Sequence, residues 1–385
     1  RENLTGVRVL RAFNKEESEI GRFEESNNAL TALQKHVGKL SALMNPITYI
    51  IINGGIIALV WAGAWQVENG AITQGEVVAL VNYMSQILVE LVKLANLMII
   101  ISKSVACMNR VDTIFKMEPS IKEKNKVFAS QENSLPKLVF DQVSFLYAGA
   151  KEESLSGIDF SVKKGETIGI IGGTGSGKTS LVNMIPGFYP ATEGTVRLKG
   201  KDIRLMPEEE LRSLVGVVPQ KAVLFKGTIR SNLQWGKADA TEDEMWQAID
   251  RAQAREVVEG KKDGLDAQIA QNGKNLSGGQ RQRLTIARAL VRKPEILIMD
   301  DSASALDYAT DARLRKAIRE NTGDMTVFIV SQRATTIKGA DTILVLDEGR
   351  LAGMGTHKEL LKDCQVYREI CLSQLSKEEV ERDEQ

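Results

Sequence analysis

The sequence predicts an α-helical, membrane-spanning segment followed by an α/β domain built on a mostly parallel sheet. Three observations carry this. Leu40 to Val67 contains no Asp, Glu, Lys, Arg or His, a run longer than the roughly 20 residues that cross a bilayer. Val77 to Ile101 is a second apolar stretch, interrupted by Glu90 and Lys93. From Leu138 onward, short β-rich runs alternate with helical ones, the pattern of a parallel sheet flanked by helices.

Arg1 to Leu33 is charged and helical in period, with apolar residues at Val9, Leu10, Phe13, Ile20 and Phe23. The uncharged run that follows carries Pro46 and the pair Gly54 and Gly55. A membrane helix tolerates them because neighbouring helices pack closely there. In the second stretch Asn82, Gln86, Glu90, Lys93 and Asn96 recur every three or four residues, one polar stripe along a helix. Glu90 and Lys93 lie one turn apart and can pair. The stripe faces either a bundle interior with a wet cavity or, if the helix leaves the bilayer, solvent. Gln66 to Glu76 holds two acids and no Lys or Arg, while Lys35, Lys39, Lys103 and Arg110 lie outside the two stretches. The positive-inside rule puts both ends in the cytosol and the turn outside, a hairpin over about residues 40–67 and 77–101.

Met117 to Lys137 is a polar, charged linker carrying Pro119 and Pro136, where a domain boundary is expected. The expected units are a membrane part over 1–118, a linker over 119–137, an α/β domain over 138–375 and a charged tail over 376–385. Lys+Arg and Asp+Glu are both 50, so the 385 residues have no formal net charge. A nucleic-acid binder would show basic excess, so nucleic acid is not an expected partner. Cys107, Cys364 and Cys371 show no paired or metal-like spacing, which suits a reducing compartment. The sequence opens at Arg1 without a signal peptide and reads as the later part of a longer polypeptide.

Within the α/β domain, the strand Glu166 to Ile171 runs into Gly172-Gly173-Thr174-Gly175-Ser176-Gly177-Lys178-Thr179, then Ser180 and a helix. This is the P-loop pattern in its required context. Its glycines let backbone N–H groups turn inward around phosphate, and the helix N-terminus adds favourable partial charge. Lys178 is suited to the outer phosphates of ATP and Thr179 to Mg²⁺. The metal also needs an acid ending a buried strand, and Glu295-Ile296-Leu297-Ile298-Met299 closes on Asp300. Two acids after a strand also suit a helix N-cap; the P-loop upstream favours the metal role. Asp301 would then face the γ-phosphate and its attacking water.

These residues resemble the ATP-binding cassette (ABC) family. The deciding motif is Leu276-Ser277-Gly278-Gly279-Gln280, followed by a basic helix from Arg281 to Arg292 and then the Asp300 strand. The resemblance implies further roles. Tyr147, closing Val143-Ser144-Phe145-Leu146-Tyr147, is expected to stack on adenine. Gln220, after Val217-Val218-Pro219, is expected to link the metal to the membrane domain, and Ser304-Ala305-Leu306-Asp307 to form the D-loop. Upstream, Glu2 to Phe13 is similar to the second intracellular loop of half-size ABC exporters, where a short coupling helix touches an ATPase domain. The hairpin then corresponds to the last two helices of a six-helix exporter domain, and four earlier helices are expected to precede it.

In this family two ATPase domains close head to tail, with each ATP between one subunit's P-loop and the other's signature. By resemblance Ser277, Gly278, Gly279 and Gln280 therefore serve the partner's ATP. The implied setting is the cytoplasmic membrane, with the ATPase domain in the cytosol. The implied partners are a second exporter subunit, the lipid bilayer and a cargo that the sequence does not reveal.

Two positions depart from the family pattern. The residue after the Mg²⁺ acid is usually Glu and is here Asp301; the switch histidine is here Gln332, after Val327-Phe328-Ile329-Val330-Ser331. Asp is one methylene shorter than Glu, and a misplacement of about 1 Å costs on the order of a hundredfold in rate. Gln332 can hydrogen-bond to phosphate but cannot take up a proton as His can. Both changes spare binding and weaken chemistry, a pattern that resembles one subunit of bacterial heterodimeric ABC exporters and implies a partner of different sequence with intact catalytic Glu and His. Ile269-Ala270-Gln271-Asn272-Gly273 also replaces the usual acidic run before the signature. A homodimeric exporter with slow hydrolysis, a soluble ABC ATPase of repair or translation, and a non-transporting ATP sensor are the competing readings.

Overall fold

The computed structural model describes residues 2–117, 137–302, 306–321 and 323–384. The linker over 119–136 and the D-loop residues Ser304 and Ala305 lie outside the described residues, as does the Asn96 side chain. The chain divides into two compact units, Arg1–Glu118 and Pro119–Gln385.

The first unit is three helices: α1 (Glu2–Ala12), α2 (Glu16–Glu68) and α3 (Gln74–Phe115). Asn14, with φ 50°, ends α1; Asn tolerates this left-handed conformation better than most side chains. The charged segment after it and the first apolar run form one continuous 53-residue helix that passes through Pro46. The α2–α3 turn is short because Thr73 caps α3. Its side chain accepts from the Glu76 N–H while the Glu76 carboxylate accepts from the Thr73 N–H, a reciprocal capping box.

Both long helices contain stretches apolar enough to cross a membrane. In α2, Ile52, Gly55, Ile56, Leu59, Gly63 and Val67 are drawn from solvent, a step of three or four that marks one face. A Cβ on Gly55 would lie 2.5 Å from Met84 Cε, and one on Gly63 would lie 2.9 Å from Val77 Cγ1, both in α3. Gly55 thus permits the close approach expected of it, and Gly63 does so unforeseen. Gly54 meets nothing within 4 Å and has no such role. Asn82, Gln86, Glu90 and Lys93 are exposed, and Lys93 Nζ donates to Glu90 Oε1 at 2.7 Å.

The second unit contains β1 (Leu138–Phe145), β2 (Leu155–Val162), β3 (Thr167–Gly172), β4 (Glu193–Leu198), β5 (Lys201–Asp202) and β6 (Val215–Val218). The later strands are β7 (Gly227–Thr228), β8 (Gln268–Ile269), β9 (Ile296–Asp300), β10 (Thr326–Val330), β11 (Thr342–Asp347) and β12 (Arg350–Gly355). Its helices begin with α4 (Lys178–Met184), α5 (Glu208–Leu214), α6 (Ile229–Gln234), α7 (Glu242–Arg251), α8 (Arg255–Glu259) and α9 (Gly278–Leu290). After these come α10 (Tyr308–Asn321), α11 (Ala334–Ile337), α12 (His357–Asp363), α13 (Gln365–Gln374) and α14 (Lys377–Glu384).

The central sheet has the order β12-β11-β3-β10-β9-β6, and an antiparallel sheet, β2-β1-β4-β5, packs against one face of it. Pairing is parallel from β11 through β6. Such strands are buried on both faces and alternate between two cores. Ile296, Ile298, Phe328 and Val330 enter the core shared with α4 and the antiparallel sheet, while Leu297, Met299, Val327 and Ile329 enter the core shared with α7 and α9. In register, Val330 of β10 opposes Ile170 on one side and Asp300 on the other. The C-terminal ends of β3, β10 and β9 therefore meet at one edge, where parallel sheets bind ligands.

That edge depends on a glycine. A Cβ on Gly172 would lie 2.1 Å from Leu346 O of β11 and 2.6 Å from Ser176 Oγ. Gly172→Ala should therefore push β3 off β11 and lower the stability of this unit by roughly 1–3 kcal/mol, the range for overpacking, measurable as a depressed thermal midpoint.

Candidate functional site

The loop after β3 has backbone that few side chains accept: Gly175 and Gly177 have φ values of 85° and 92°. A Cβ on Gly177 would also lie 2.6 Å from Ser154 O. Among the described residues, the amides of Thr174, Gly175 and Gly177 find no protein acceptor. They form a concave set of donors at the start of α4, suited to an anion. Lys178 is 8% exposed, and its Nζ donates to Gly172 O at 2.9 Å, Gly173 O at 2.5 Å and Ser176 Oγ at 3.3 Å. Burial pushes its pKa down, and the Asp301 and Asp300 charges partly restore it.

Across the loop, Thr179 Oγ1 donates to Asp300 Oδ1 at 3.2 Å. Asp300 ends β9 at 7% exposure. Burial raises its pKa and the Asp301 charge adds to this, against the Thr179 hydrogen bond and Lys178. A buried acid beside a hydroxyl is a pair of hard oxygens, the donor set Mg²⁺ prefers. The loop's donors and this oxygen pair together fit a polyphosphate with a divalent cation.

Asp301 follows with φ 42°, a left-handed conformation Asp adopts more readily than Glu. Its Oδ2 accepts from Gln220 Nε2 at 3.3 Å, so Gln220 meets the shortened acid through its nitrogen and has its carbonyl oxygen left for a cation. Gln332 lines the same cleft, just beyond β10. The cleft, about 360 Å³, is lined by Tyr147, Thr174, Gly175, Gly177, Lys178, Thr179, Ser180, Gln220, Asp300, Asp301 and Gln332. Every one of these was expected from the sequence.

Gly172, Gly173 and Ser176 stand behind this lining and hold Lys178. Ser154, Val330 and Ser331 line the cleft too and were missed. Ser154 has no local motif; only the packing of its carbonyl under Gly177 brings it there. Tyr147 sits at the rim with its hydroxyl 2.9 Å from Ser180 Oγ. Its ring is edge-on to Phe145 and Tyr189, at 4.6 and 5.2 Å.

The signature residues do not line this cleft. Ser277 caps α9: its Oγ accepts from the Gln280 N–H at 3.2 Å, and Gln280 Oε1 accepts from the Ser277 N–H at 3.0 Å. Gly278 and Gly279 form the first turn, so Gln280 closes a capping box within its own chain. Asp307 likewise caps α10, its Oδ1 accepting from the Thr310 N–H at 2.9 Å, and those hydrogen bonds lower its pKa. The segment before the signature gains a physical account. Asn272 and Gly273 both take positive φ, and Asn275 clamps the turn by accepting from the Ala270 N–H and donating to Gln268 O. Asn and Gly are the residues that tolerate such backbone.

This fold and cleft define the class: a P-loop ATPase domain attached to a helical segment of membrane-spanning length. Residues 155–304 match the ABC transporter model and residues 1–91 match the ABC transporter transmembrane region. An uncharacterised ABC transporter ATP-binding protein of Mycobacterium tuberculosis is 37% identical over 97% of this chain and 64% of its own length. A probable multidrug resistance ABC transporter ATP-binding/permease protein of Bacillus subtilis is 36% identical over 96% of this chain and 63% of its own. An ATP-dependent lipid A-core flippase of Desulfotalea psychrophila is 34% identical over 94% and 63%. The structure of a bacterial Atm1-family ABC exporter with ATP bound superposes with a TM-score of 0.85 at 28% identity, over 98% of this chain and 66% of that one. The chain belongs to the ABC transporter family and has the fold of its exporters, and it spans less than two thirds of these curated relatives.

The raised pKa of Asp300 sets the sign of a pH effect. Proton and cation compete for the same oxygen, so protonation should weaken divalent-cation affinity. That affinity should fall on acidification earlier than for an ordinary Asp of pKa 3.8. Mn²⁺ titration followed by electron paramagnetic resonance should show this slope, and Asp300→Asn should remove it along with most of the affinity.

Proposed function

We propose that this chain is one subunit of a dimeric ABC exporter in the cytoplasmic membrane, where ATP binding and hydrolysis drive efflux. In this reading its own P-loop site holds ATP with Mg²⁺ and turns it over slowly, while its signature completes the partner's faster site. The carrying observation is a cleft that keeps every binding group, Lys178, Thr179, Asp300 and Tyr147, beside Asp301 and Gln332.

Bound ATP would supply the reacting γ-phosphoryl group and its Mg²⁺ positive charge to offset that of the phosphates. Lys178 would leave the loop carbonyls for those phosphates, a cation already desolvated. Thr179 and Asp300 would hold the metal, and Tyr147 would offer its ring to the base. Water would have to be aimed by Asp301, whose carboxylate is short and engaged by Gln220. Gln332 would donate to the γ-phosphate as a neutral amide, a weaker contact than a charged donor makes.

Sequence features extend the reading to the membrane unit. The loop charges place both hairpin ends in the cytosol. The exposed polar stripe suits a partner helix or a cavity that is not purely apolar. Multidrug and lipid exporters among the relatives give the class from which the cargo is to be sought. The intact Ser277-Gly278-Gly279 turn, outside its own cleft, favours a partner whose chemistry it completes.

Asp301→Glu combined with Gln332→His should raise ATP turnover at this site, isolated by disabling the partner's catalytic acid. The expected gain approaches a hundredfold, the scale set by restoring about 1 Å of reach. Unchanged single-site turnover, or a wild-type site already as fast as the partner's, would overturn the slow-site reading.

A further inference from the structure

The segment carrying Gln332 ends in α11, a helix of one turn whose N-cap residue, Arg333, makes no side-chain cap. A helix start leaves its first N–H groups without internal partners, and here the neighbouring sequence does not supply one. Gln374 does so from the end of α13. Its Oε1 accepts from the Ala334 N–H at 2.9 Å, and its Nε2 donates to Gln332 O at 2.7 Å. One planar amide thus spans the backbone on both sides of Arg333, with donor and acceptor both used, which fixes its orientation. The Arg333 N–H itself donates to Ser331 Oγ at 3.0 Å.

The arm that carries Gln374 is itself anchored. Tyr367 and Cys371 of α13 are fully buried, and the Tyr367 hydroxyl lies 2.7 Å from His357 Nδ1 of α12. Asp383 of α14 approaches His357 Nε2 at 3.2 Å and accepts from Lys338 Nζ at 3.0 Å. Lys338 directly follows α11. The C-terminal helices therefore grip α11 at both ends, through Gln374 at its start and Asp383 at its finish.

We infer that Gln374 is the positioning residue of the γ-phosphate switch: it holds the Gln332 backbone so that its side chain faces the cleft, and so sets how long this site keeps its nucleotide. The inference rests on the proposed role of Gln332 as a phosphate contact. A neutral amide has no charge to draw phosphate in, so its contact depends on alignment more than a charged donor's would. Without Gln374, Ala334 and Gln332 each lose a partner, and the side-chain tethers left are Ser331 at the start and Arg315, which donates to Thr336 O at 2.8 Å, further along.

Gln374→Met keeps the length of the side chain and removes both hydrogen bonds. In the full-length protein reconstituted in lipid without nucleotide, peptide-resolved hydrogen exchange over residues 332–336 should accelerate roughly tenfold, the factor for losing one to two net hydrogen bonds. Exchange in β9 and in α12 should stay at the wild-type rate. Release of a fluorescent ATP analogue from this site should accelerate by a similar factor, with the partner's site unaffected. Gln374→Glu keeps the acceptor for Ala334 and loses the donor for Gln332, so it should fall between the two. Gln365→Ala, on the same helix and with a side chain bonded among the described residues only to Glu369, should change nothing.

Wild-type exchange over 332–336 in Gln374→Met would overturn the inference. So would faster exchange there with unchanged nucleotide release, or exchange raised equally throughout α12 and α13, which would make Gln374 a packing residue only. If the variant behaves as expected while the wild-type site hydrolyses fast, the Gln374 clamp stands and the slow-site reading fails.

Discussion

Parallel pairing of β3, β10 and β9 is the constraint on which the site depends. In a parallel sheet all strands point the same way, so their C-terminal ends share one edge. Here that edge collects Gly172, Asp300 and the Ser331–Gln332 step. The register that places Val330 between Ile170 and Asp300 is fixed by burial on both faces. A slip of one residue would turn each strand's two sets of apolar side chains into the wrong core. The chemistry of the cleft is thus guarded by Ile296, Ile298, Phe328 and Val330 on one side and Leu297, Met299, Val327 and Ile329 on the other.

Burial then does electrostatic work at that edge. Lys178 and Asp300 are both removed from water, and desolvation disfavours the charge on each. Lys178 turns onto loop carbonyls and Asp300 onto a hydroxyl, arrangements that satisfy polar atoms without neutralising them. A polyphosphate and a divalent cation would relieve both at once, by adding opposite charge where it is missing. The loop amides of Thr174, Gly175 and Gly177, without an acceptor among the described residues, point to the same conclusion from backbone geometry alone.

On the proposed reading, the departures from an efficient hydrolytic site are confined to the groups that would aim water and contact phosphate. Asp301 occupies left-handed backbone that suits a short side chain, and its partner Gln220 holds it laterally. Gln332 owes its placement to a distant amide on the C-terminal helix. Asp300 lies on a strand end and Lys178 and Thr179 on α4, while Asp301 and Gln332 lie on the turns just beyond β9 and β10. Turns can change their side chains without disturbing either core, which is why the two functions can separate within one fold.

The sequence by itself determined the two-unit plan, the hairpin and nearly all of the cleft, because each is written in local order. An uncharged run long enough to span a bilayer, a glycine-rich loop after a strand, and an acid closing an apolar run are contiguous signals. The positions of Tyr147, Gln220 and Gln332 followed from resemblance and that of Asp301 from its place after Asp300, and all four recur in the cleft lining. Only the tertiary structure decided that α2 runs unbroken from Glu16 to Glu68, that Gly63 rather than Gly54 lets α3 approach, and that Ser154 and Gln374 reach the site. Those facts are contacts between residues far apart in the chain. No periodicity records them, because they exist only once burial of the apolar faces has fixed which elements are neighbours.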